Sequence, residues 1–428
     1  MFRKVLFNTG WQVVGKIVTA FSTLLITLII GKSLGPSGFG EFTKIFVFVG
    51  YFYIIADFGL NSIYVKYARS TSEVESTLHL GGEGSLFRAL LGLRVVISIF
   101  LVTSAILVTF FLPHNPQTLT GFSPLVKTGI MIASLTIITQ ALFTTGNGFF
   151  QKNLRYDLSA IAAISGSLVM VLATAIVYFT TRSLLLFVSI YILGGLTYVA
   201  AAFFLISKKF DYKFFAGFDL TKSKALLLSA WPIGLALILN LLYFRADVFI
   251  LASFRSSAEV GLFALGYQFF EAALAVPIFF ANALYPLLSV SFAKNIEEFK
   301  RIVRKWVLYL VAFSIILTIF LLLISFLIPL LYDSRFEDSK TALQILALGM
   351  PFFFLSALFW HVLIIYNKQK LLIYVYAAGA IFNLTVNLIF IPVFGYRAAA
   401  ITTVISEAFI MLLLVSALKL KIRAVSHD

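Results

Sequence analysis

Residues 184–224 read LLLFVSIYILGGLTYVAAAFFLISKKFDYKFFAGFDLTKSK. The first 24 carry no charge, and then Lys208, Lys209, Lys213, Lys222 and Lys224 follow within a short stretch. A bilayer core of ~30 Å takes ~20 mostly apolar residues per helix, so the first part is long enough to cross and the second marks where the chain emerges. The same alternation runs through the whole chain. It divides into about twelve spans with approximate bounds 8–31, 41–62, 89–112, 124–146, 158–180, 184–206, 225–252, 260–290, 306–331, 341–366, 371–393 and 396–418.

Basic residues gather in every second gap. One side holds Arg3, Lys4, Lys66, Arg69, Arg88, Lys152, Arg155, the five lysines above, Lys294, Lys300, Arg301, Arg304, Lys305, Lys368, Lys370, Lys419, Lys421 and Arg423. That makes 22, against seven on the other side: Lys32, Lys127, Arg182, Arg255, Arg335, Lys340 and Arg397. By the positive-inside rule the asymmetry places both termini in the cytoplasm and the chain in the cell membrane.

Composition narrows the function. In 428 residues, 61% are hydrophobic, 12% are charged and the mean hydropathy is +1.01. Twelve spans leave only about fifteen residues per loop, with no room for a soluble catalytic domain. The net charge of +15 would suggest nucleic acid in a soluble protein. Here the basic residues face anionic membrane lipids, and no nucleic-acid partner is expected. The absence of cysteine excludes disulfides, thiolate metal sites and cysteine catalysis, and four scattered histidines give no metal constellation. The first apolar run is longer than the core of a signal peptide and a second span follows at once, so it is expected to remain in the protein. No Gly-x-x-x-x-Gly-Lys-Ser/Thr loop occurs, so the driving force has to be an ion gradient, a lipid gradient or a partner. The outer acidic residues Asp333, Glu337 and Asp338 read as a solvated turn, and the chain is not expected to be an enzyme.

The spans fall into two sixes: 1–206 as one bundle, 207–224 as a cytoplasmic linker, and 225–428 as a second bundle. A faint echo relates them. Gly35-Pro36-Ser37-Gly38-Phe39-Gly40-Glu41-Phe42 follows the first span, and Ser256-Ser257-Ala258-Glu259-Val260-Gly261-Leu262-Phe263 follows the seventh, 221 residues on. Two six-helix units related by an axis along the membrane normal are transporter architecture, with alternating access by rocking of one against the other. Pro232, Pro277, Pro286 and Pro351 lie within spans and can bend them.

Ionisable groups inside spans are costly, by roughly 2.5–3.5 kcal/mol at mid-helix, so each needs a reason. The set is Lys16, Arg94, Arg245, Asp247, Glu271 and Glu407, with His361 as a further polar group. Helical spacing gathers Gln12, Lys16, Thr19, Thr23 and Thr27 on one stripe, and Ser229, Asn240, Tyr243 and Asp247 on another. Gln268, Glu271 and Asn282 form a third, Thr403 and Glu407 a fourth, while Asn383 and Asn387 stand one turn apart. Such stripes either face a wet cavity or bind helices together by hydrogen bonds. His361 is expected to be packed rather than a ligand, and Lys44 and Asp57, near span ends, to snorkel.

Three segments carry a resemblance to a known family. They are Asn8-Thr9-Gly10-Trp11 with Gly15-Lys16; Leu34-Gly35-Pro36-Ser37-Gly38-Phe39-Gly40 with Asp57-Phe58-Gly59-Leu60; and Phe382-Asn383-Leu384, Asn387-Leu388-Ile389-Phe390-Ile391-Pro392, Gly395 and Ala399-Ala400. The chain resembles the polysaccharide exporters and lipid-linked oligosaccharide flippases of the multidrug/oligosaccharidyl-lipid/polysaccharide superfamily. The resemblance implies an all-α, V-shaped pair of bundles that moves phosphate- or pyrophosphate-linked lipid sugars from the inner to the outer leaflet. On that reading Lys16, Arg94 and Arg245 supply positive charge for the lipid phosphate. Asn240, Tyr243, Gln268 and Asn282 are the sugar-binding candidates, and Asp247, Glu271 and Glu407 the candidates for coupling to Na⁺ or H⁺. Glycan-assembly enzymes are the expected protein partners. Two alternatives stay open: a cation-coupled exporter of small amphipathic compounds in the same superfamily, and a non-transporting component or enzyme of glycan assembly.

Overall fold

A computed structural model of the chain describes residues 2–68, 83–211 and 217–425. Of the basic residues sorted by side above, Arg69 and Lys213 lie outside the described residues, as do the side chains of Arg3, Lys4, Lys419, Lys421 and Arg423. Regular structure among the described residues is helical apart from two two-residue strands, His114–Asn115 and Thr120–Gly121. That follows from the solvent. In hydrocarbon a backbone N–H or C=O finds no water, and a helix satisfies these groups within its own segment.

Ten helices are long and apolar enough to cross a membrane, eleven if Ser334–Ala347 and Met350–Ile365, bent by 40° to each other, form one crossing. The first of them cannot be a single crossing. Helix Phe2–Asp57 holds 56 residues, which at ~1.5 Å each would run to ~84 Å, nearly three times the ~30 Å core. It breaks at Gly35, where φ is 66° and ψ −176°, a region essentially confined to glycine, and Pro36 follows. Counting two crossings there gives the twelve read from the sequence. The partner of Gly35 in the internal echo is Ser256, and it too marks a break. Helix Leu220–Phe254 ends just before it, and Ser256 caps helix Ser257–Lys294 by accepting from the Glu259 amide at 3.3 Å. Pro232, Pro277 and Pro286 lie inside helices. Pro351 does not: it stands in the first turn of Met350–Ile365, where a missing N–H costs nothing.

The chain packs as two compact units, Met1–Pro116 with Phe122–Leu241, and Gln117–Gly121 with Leu242–Asp428. Helix Leu220–Phe254 passes from one to the other without a break. Its first half belongs with the first unit, although the sequence groups 225–241 with the second bundle. The reason is packing. Leu226 and Ala230 share a core with Leu60, Tyr64, Phe87 and Phe150, and Gly59 and Gly234 lie directly under Ile233 and Phe58. Of the expected linker, 212–216 lie outside the described residues.

In the second unit, Leu363, Leu372, Val375, Ile410 and Leu414 form one core cluster. One end of the unit is tied by a clamp. Arg255 donates to Glu259 Oε1 (2.9 Å) and to the Pro392 carbonyl (3.1 Å), while Glu259 Oε2 accepts from the Tyr396 amide (3.2 Å). Gly395, at φ 61°, makes the turn between helices Gln369–Phe394 and Tyr396–Val425. A Cβ there would collide with Glu259 Oε2. Gly395→Ala is therefore expected to cost about 1–3 kcal/mol in strain and to open the clamp. Thermal unfolding in detergent checks this, and a midpoint equal to the parent's would contradict it.

Candidate functional site

Gln12, Lys16 and Thr19 of the first span's polar stripe line a cavity within the first unit. The cavity holds about 380 Å³ and is bounded by Gln12, Gly15, Lys16, Thr19, Phe143, Asn147, Tyr156, Ser159, Ala160, Ala163 and Tyr198. Gly15 lets its helix approach Ala160 closely. Thr19 and Thr23 donate back to the carbonyls of Gly15 (2.8 Å) and Thr19 (2.9 Å), so their hydroxyls are satisfied within the helix. Ser159 donates to Asn147 Oδ1 at 2.8 Å and fixes that amide. Lys16 is exposed and forms no ion pair among the described residues. A cation among hydroxyl and amide groups, with no acid beside it, suits an incoming anion.

The second unit holds a cavity of another chemistry. It encloses about 330 Å³ and is lined by Tyr243, Asn282, Ser356, Trp360, His361, Tyr376 and Glu407, with Phe244, Pro277 and Phe353 among its apolar wall. Glu407 is 3% exposed and accepts from Tyr243 Oη at 2.8 Å. Trp360 and Tyr376 meet edge to face at 4.9 Å. His361 Nδ1 lies 2.8 Å from the Ala357 carbonyl of its own helix, and the residue lines the cavity. No lysine or arginine reaches this lining.

Tyr243, Asn282 and Glu407 thus come together, whereas the other candidates in the C-terminal half do not join them. Asn240 is exposed and falls in the first unit, and Gln268 lies outside the lining. Arg245 and Glu271 pair with each other, Nη2 to Oε1 at 2.7 Å and to Oε2 at 3.0 Å, and both are partly exposed. The guanidinium also stands 5.7 Å over the Tyr267 ring. Asp247 is buried apart from that pair. Its Oδ1 accepts from the Val248 amide (2.7 Å) and its Oδ2 from Thr403 Oγ1 (3.3 Å). Asn383 and Asn387 are structural. Asn387 donates to Asn383 Oδ1 (3.0 Å), and Asn383 donates across to Ser406 Oγ (3.1 Å) on the next helix.

Arg94 departs furthest from its expected role. It is 1% exposed, and its guanidinium is occupied by Asp57 Oδ1 (2.8 Å), Asn61 Oδ1 (3.0 Å) and the Ala56 carbonyl (3.3 Å). Phe58 and Gly59 take positive φ directly after Asp57 and end the helix there. The end leaves carbonyls without helical partners, and Arg94 serves one of them while neutralising Asp57. Neither group is available to a ligand phosphate, and Asp57 does not snorkel. Lys44 does not either, being fully buried one turn from Glu41. Trp360, Tyr376 and Ser356 in one cavity, and Asn147, Tyr156 and Ser159 in the other, carry no charge or stripe that would have singled them out. Among the described residues no cluster of three His, Asp or Glu could hold a metal.

Comparison with known proteins adds to this geometry. The family model described as polysaccharide biosynthesis protein matches residues 5–292. The family model described as MatE matches residues 232–389. No match is found among curated protein sequences. Among solved structures, the chain is similar to the lipid II flippase MurJ in an inward closed conformation, with a TM-score of 0.71 at 15% identity over 97% of this chain and 87% of that one. It is also similar to an inward-facing multidrug resistance MATE transporter, with a TM-score of 0.73 at 13% identity over 96% of each chain. A transporter of the same superfamily from Pyrococcus furiosus gives 0.61 at 12% identity over 99% and 96%. These likenesses show that the chain shares the fold of these proteins.

The Arg94–Asp57 pair sets a test of the assignment of Arg94 to structure. Asp57→Asn leaves a buried guanidinium without its counter-charge, at a cost of about 3 kcal/mol. The Asp57→Asn, Arg94→Gln double variant removes that charge and should be the more stable of the two. Folded yield after detergent extraction reads both, and a double variant no better than the single one would contradict the pairing.

Proposed function

The chain belongs to the polysaccharide biosynthesis protein family, and from that premise we propose that it flips a lipid-linked sugar across the cell membrane by alternating access. The substrate carries phosphate or pyrophosphate between lipid and sugar, and it moves from the inner to the outer leaflet, with both termini in the cytoplasm. The observation that carries the reading is Lys16, a cation without an acid partner among hydroxyl and amide groups in the first unit's cavity. In a low-dielectric bundle such a group favours an anion strongly, and a lysine acts on phosphate as a point charge. Arg245 is the second cation within reach of an anion. A phosphate arriving there competes with Glu271 for the guanidinium fork, so binding exchanges one partner for another instead of leaving a charge bare.

Coupling rests on Asp247. A buried carboxylate held by one amide and one hydroxyl is incompletely satisfied, so it takes up a proton or a small cation. Asp247 and Thr403 are two oxygen donors side by side. Either ligand would change the charge of the second unit during the cycle. Glu271, as the partner of Arg245, belongs with substrate binding, and glycan-assembly enzymes in the same membrane supply the substrate.

A second reading is favoured by the other cavity. Tyr243, Trp360 and Tyr376 around the Glu407 carboxylate also suit an amphipathic organic cation, and the MatE match runs over part of this region. The two readings differ in the sign of the cargo.

Deleting the gene should leave a lipid-linked glycan on the inner leaflet, extractable and countable. Restoring the protein as Lys16→Gln should leave that accumulation about tenfold above the parent's, the loss expected for one charge-assisted phosphate contact, at normal membrane levels of protein. Lys16→Arg should recover most of the transport. In vesicles with an imposed H⁺ or Na⁺ gradient, Asp247→Asn should bind substrate but lose the response to the gradient. No accumulation on deletion, or full export by Lys16→Gln, would overturn the reading.

A further inference from the structure

The helix Ile296–Ser325 opens with IEEFKRIVRKW at residues 296–306, outside the lining of the second unit's cavity. Its 30 residues run to ~45 Å at ~1.5 Å each, which exceeds the ~30 Å core by about ten residues. The surplus lies at the start, because the uninterrupted apolar run begins only at Val307. Trp306 and Tyr309, their rings 5.4 Å apart, stand at that boundary, where aromatic side chains mark the membrane interface. The first two turns are therefore at head-group level.

Two stripes run side by side over those turns, Phe299 with Val303 and Lys300 with Arg304, each pair one turn apart. Together with Phe359, Val362, Val415 and Leu418 they wall a groove of about 490 Å³ within the second unit. Phe299 is 1% exposed and meets the Tyr366 ring edge to face at 5.7 Å, which fixes one end of the groove. The wall is apolar, and charge is confined to Glu297, Lys300 and Arg304. Lys300 Nζ is 2.7 Å from Glu297 Oε1, so these two neutralise each other. Arg304 is exposed and forms no ion pair among the described residues. The groove thus offers one uncompensated guanidinium at head-group depth above an apolar trough that continues toward the bilayer centre.

We propose that this groove is a binding site for a single anionic glycerophospholipid. The phosphodiester sits on the Arg304 guanidinium, whose planar fork can donate to two of its oxygens, and one acyl chain lies along Phe299, Val303, Val362 and Val415. The charge count selects the occupant. A phosphodiester carries one negative charge and meets one free cation, whereas a phosphate monoester carries about −1.5 to −2 at neutral pH and would stay partly unmatched. The groove formed by Phe390, Phe394, Ile401 and Arg397 lacks this feature. There the guanidinium is drawn back to its own neighbour, Nε donating to Tyr396 Oη at 3.2 Å with the ring 5.7 Å beneath it. Bound at Arg304, a lipid touches helices Ile296–Ser325, Met350–Ile365 and Tyr396–Val425 at once, so it adds a link between them. This site is independent of what the protein transports.

Native mass spectrometry of the full chain in detergent, with phosphatidylglycerol or phosphatidylcholine added in equal amounts, tests it. The parent should retain one phosphatidylglycerol about tenfold better than phosphatidylcholine, as one charge-assisted contact predicts. Arg304→Gln should bring that preference to within about twofold. The Lys208→Gln, Lys209→Gln variant, which removes two exposed cations elsewhere, should keep it. Retention by Arg304→Gln equal to the parent's would overturn the proposal, as would equal loss in the Lys208, Lys209 control or equal retention of the two lipids by the parent. Preferential retention of a polyprenyl phosphate over phosphatidylglycerol would also overturn it, and would assign the groove to the carrier lipid.

Discussion

Hydrocarbon does not tolerate a bare ion, and each intramembrane charge of this protein is placed by that constraint. A guanidinium or carboxylate inside a bundle has to meet an opposite charge, a shell of hydrogen bonds, or water. Arg94 takes the first solution with Asp57 and adds a helix-end carbonyl. Asp247 takes the second with an amide and a hydroxyl. Lys16 stands in a polar cavity with no ion pair among the described residues, which leaves the third to it as the proposed solution. These three arrangements do different work. An ion held by a counter-charge is fixed and serves the fold, while one without such a partner remains available to a charged ligand.

The same constraint governs the backbone. Helices Phe2–Asp57 and Gln369–Phe394 can end or turn within the bundles only where the freed polar groups find partners. At Gly35 and Gly395 glycine provides the turn, and at Ala56 and Pro392 arginine side chains collect the carbonyls. The motifs that first set the chain apart, Leu34–Gly40, Asp57–Leu60 and Asn383–Gly395, all lie at such points. They specify where helices break and lock, and the linings of the two cavities lie elsewhere, apart from Gly15 and Lys16. Fold and family were therefore easier to read than the site.

Much of the architecture was legible because hydropathy has a length scale. The span count, the offset of 221 residues between the two breaks and the polar face of the first helix all follow from helical geometry. What one sequence could not supply was the partner of each charge. Arg94 and Lys16 look alike in a string of letters, and only packing shows that one meets Asp57 and Asn61 while the other lines a cavity with no ion-pair partner among the described residues. Arg245 and Glu271 were each recognised as unusual, but their spacing of 26 residues gives no hint that they neutralise each other. Trp360, Tyr376, Tyr156 and Asn147 were invisible for the opposite reason: aromatic and amide residues are unremarkable in a span until a cavity forms beside them.

The claim that Lys16 faces an aqueous cavity open to an anionic ligand is the one on which the functional account turns. The chain contains no cysteine, so a single Lys16→Cys substitution gives one unambiguous label site. A water-soluble, negatively charged thiol reagent should modify it at a rate within about tenfold of an exposed loop cysteine, since access and thiolate character set that rate. Prenyl-pyrophosphoryl-N-acetylglucosamine, added as a probe, should slow the reaction. An unreactive Lys16→Cys, as expected for a side chain facing lipid or packed in the core, would contradict the account.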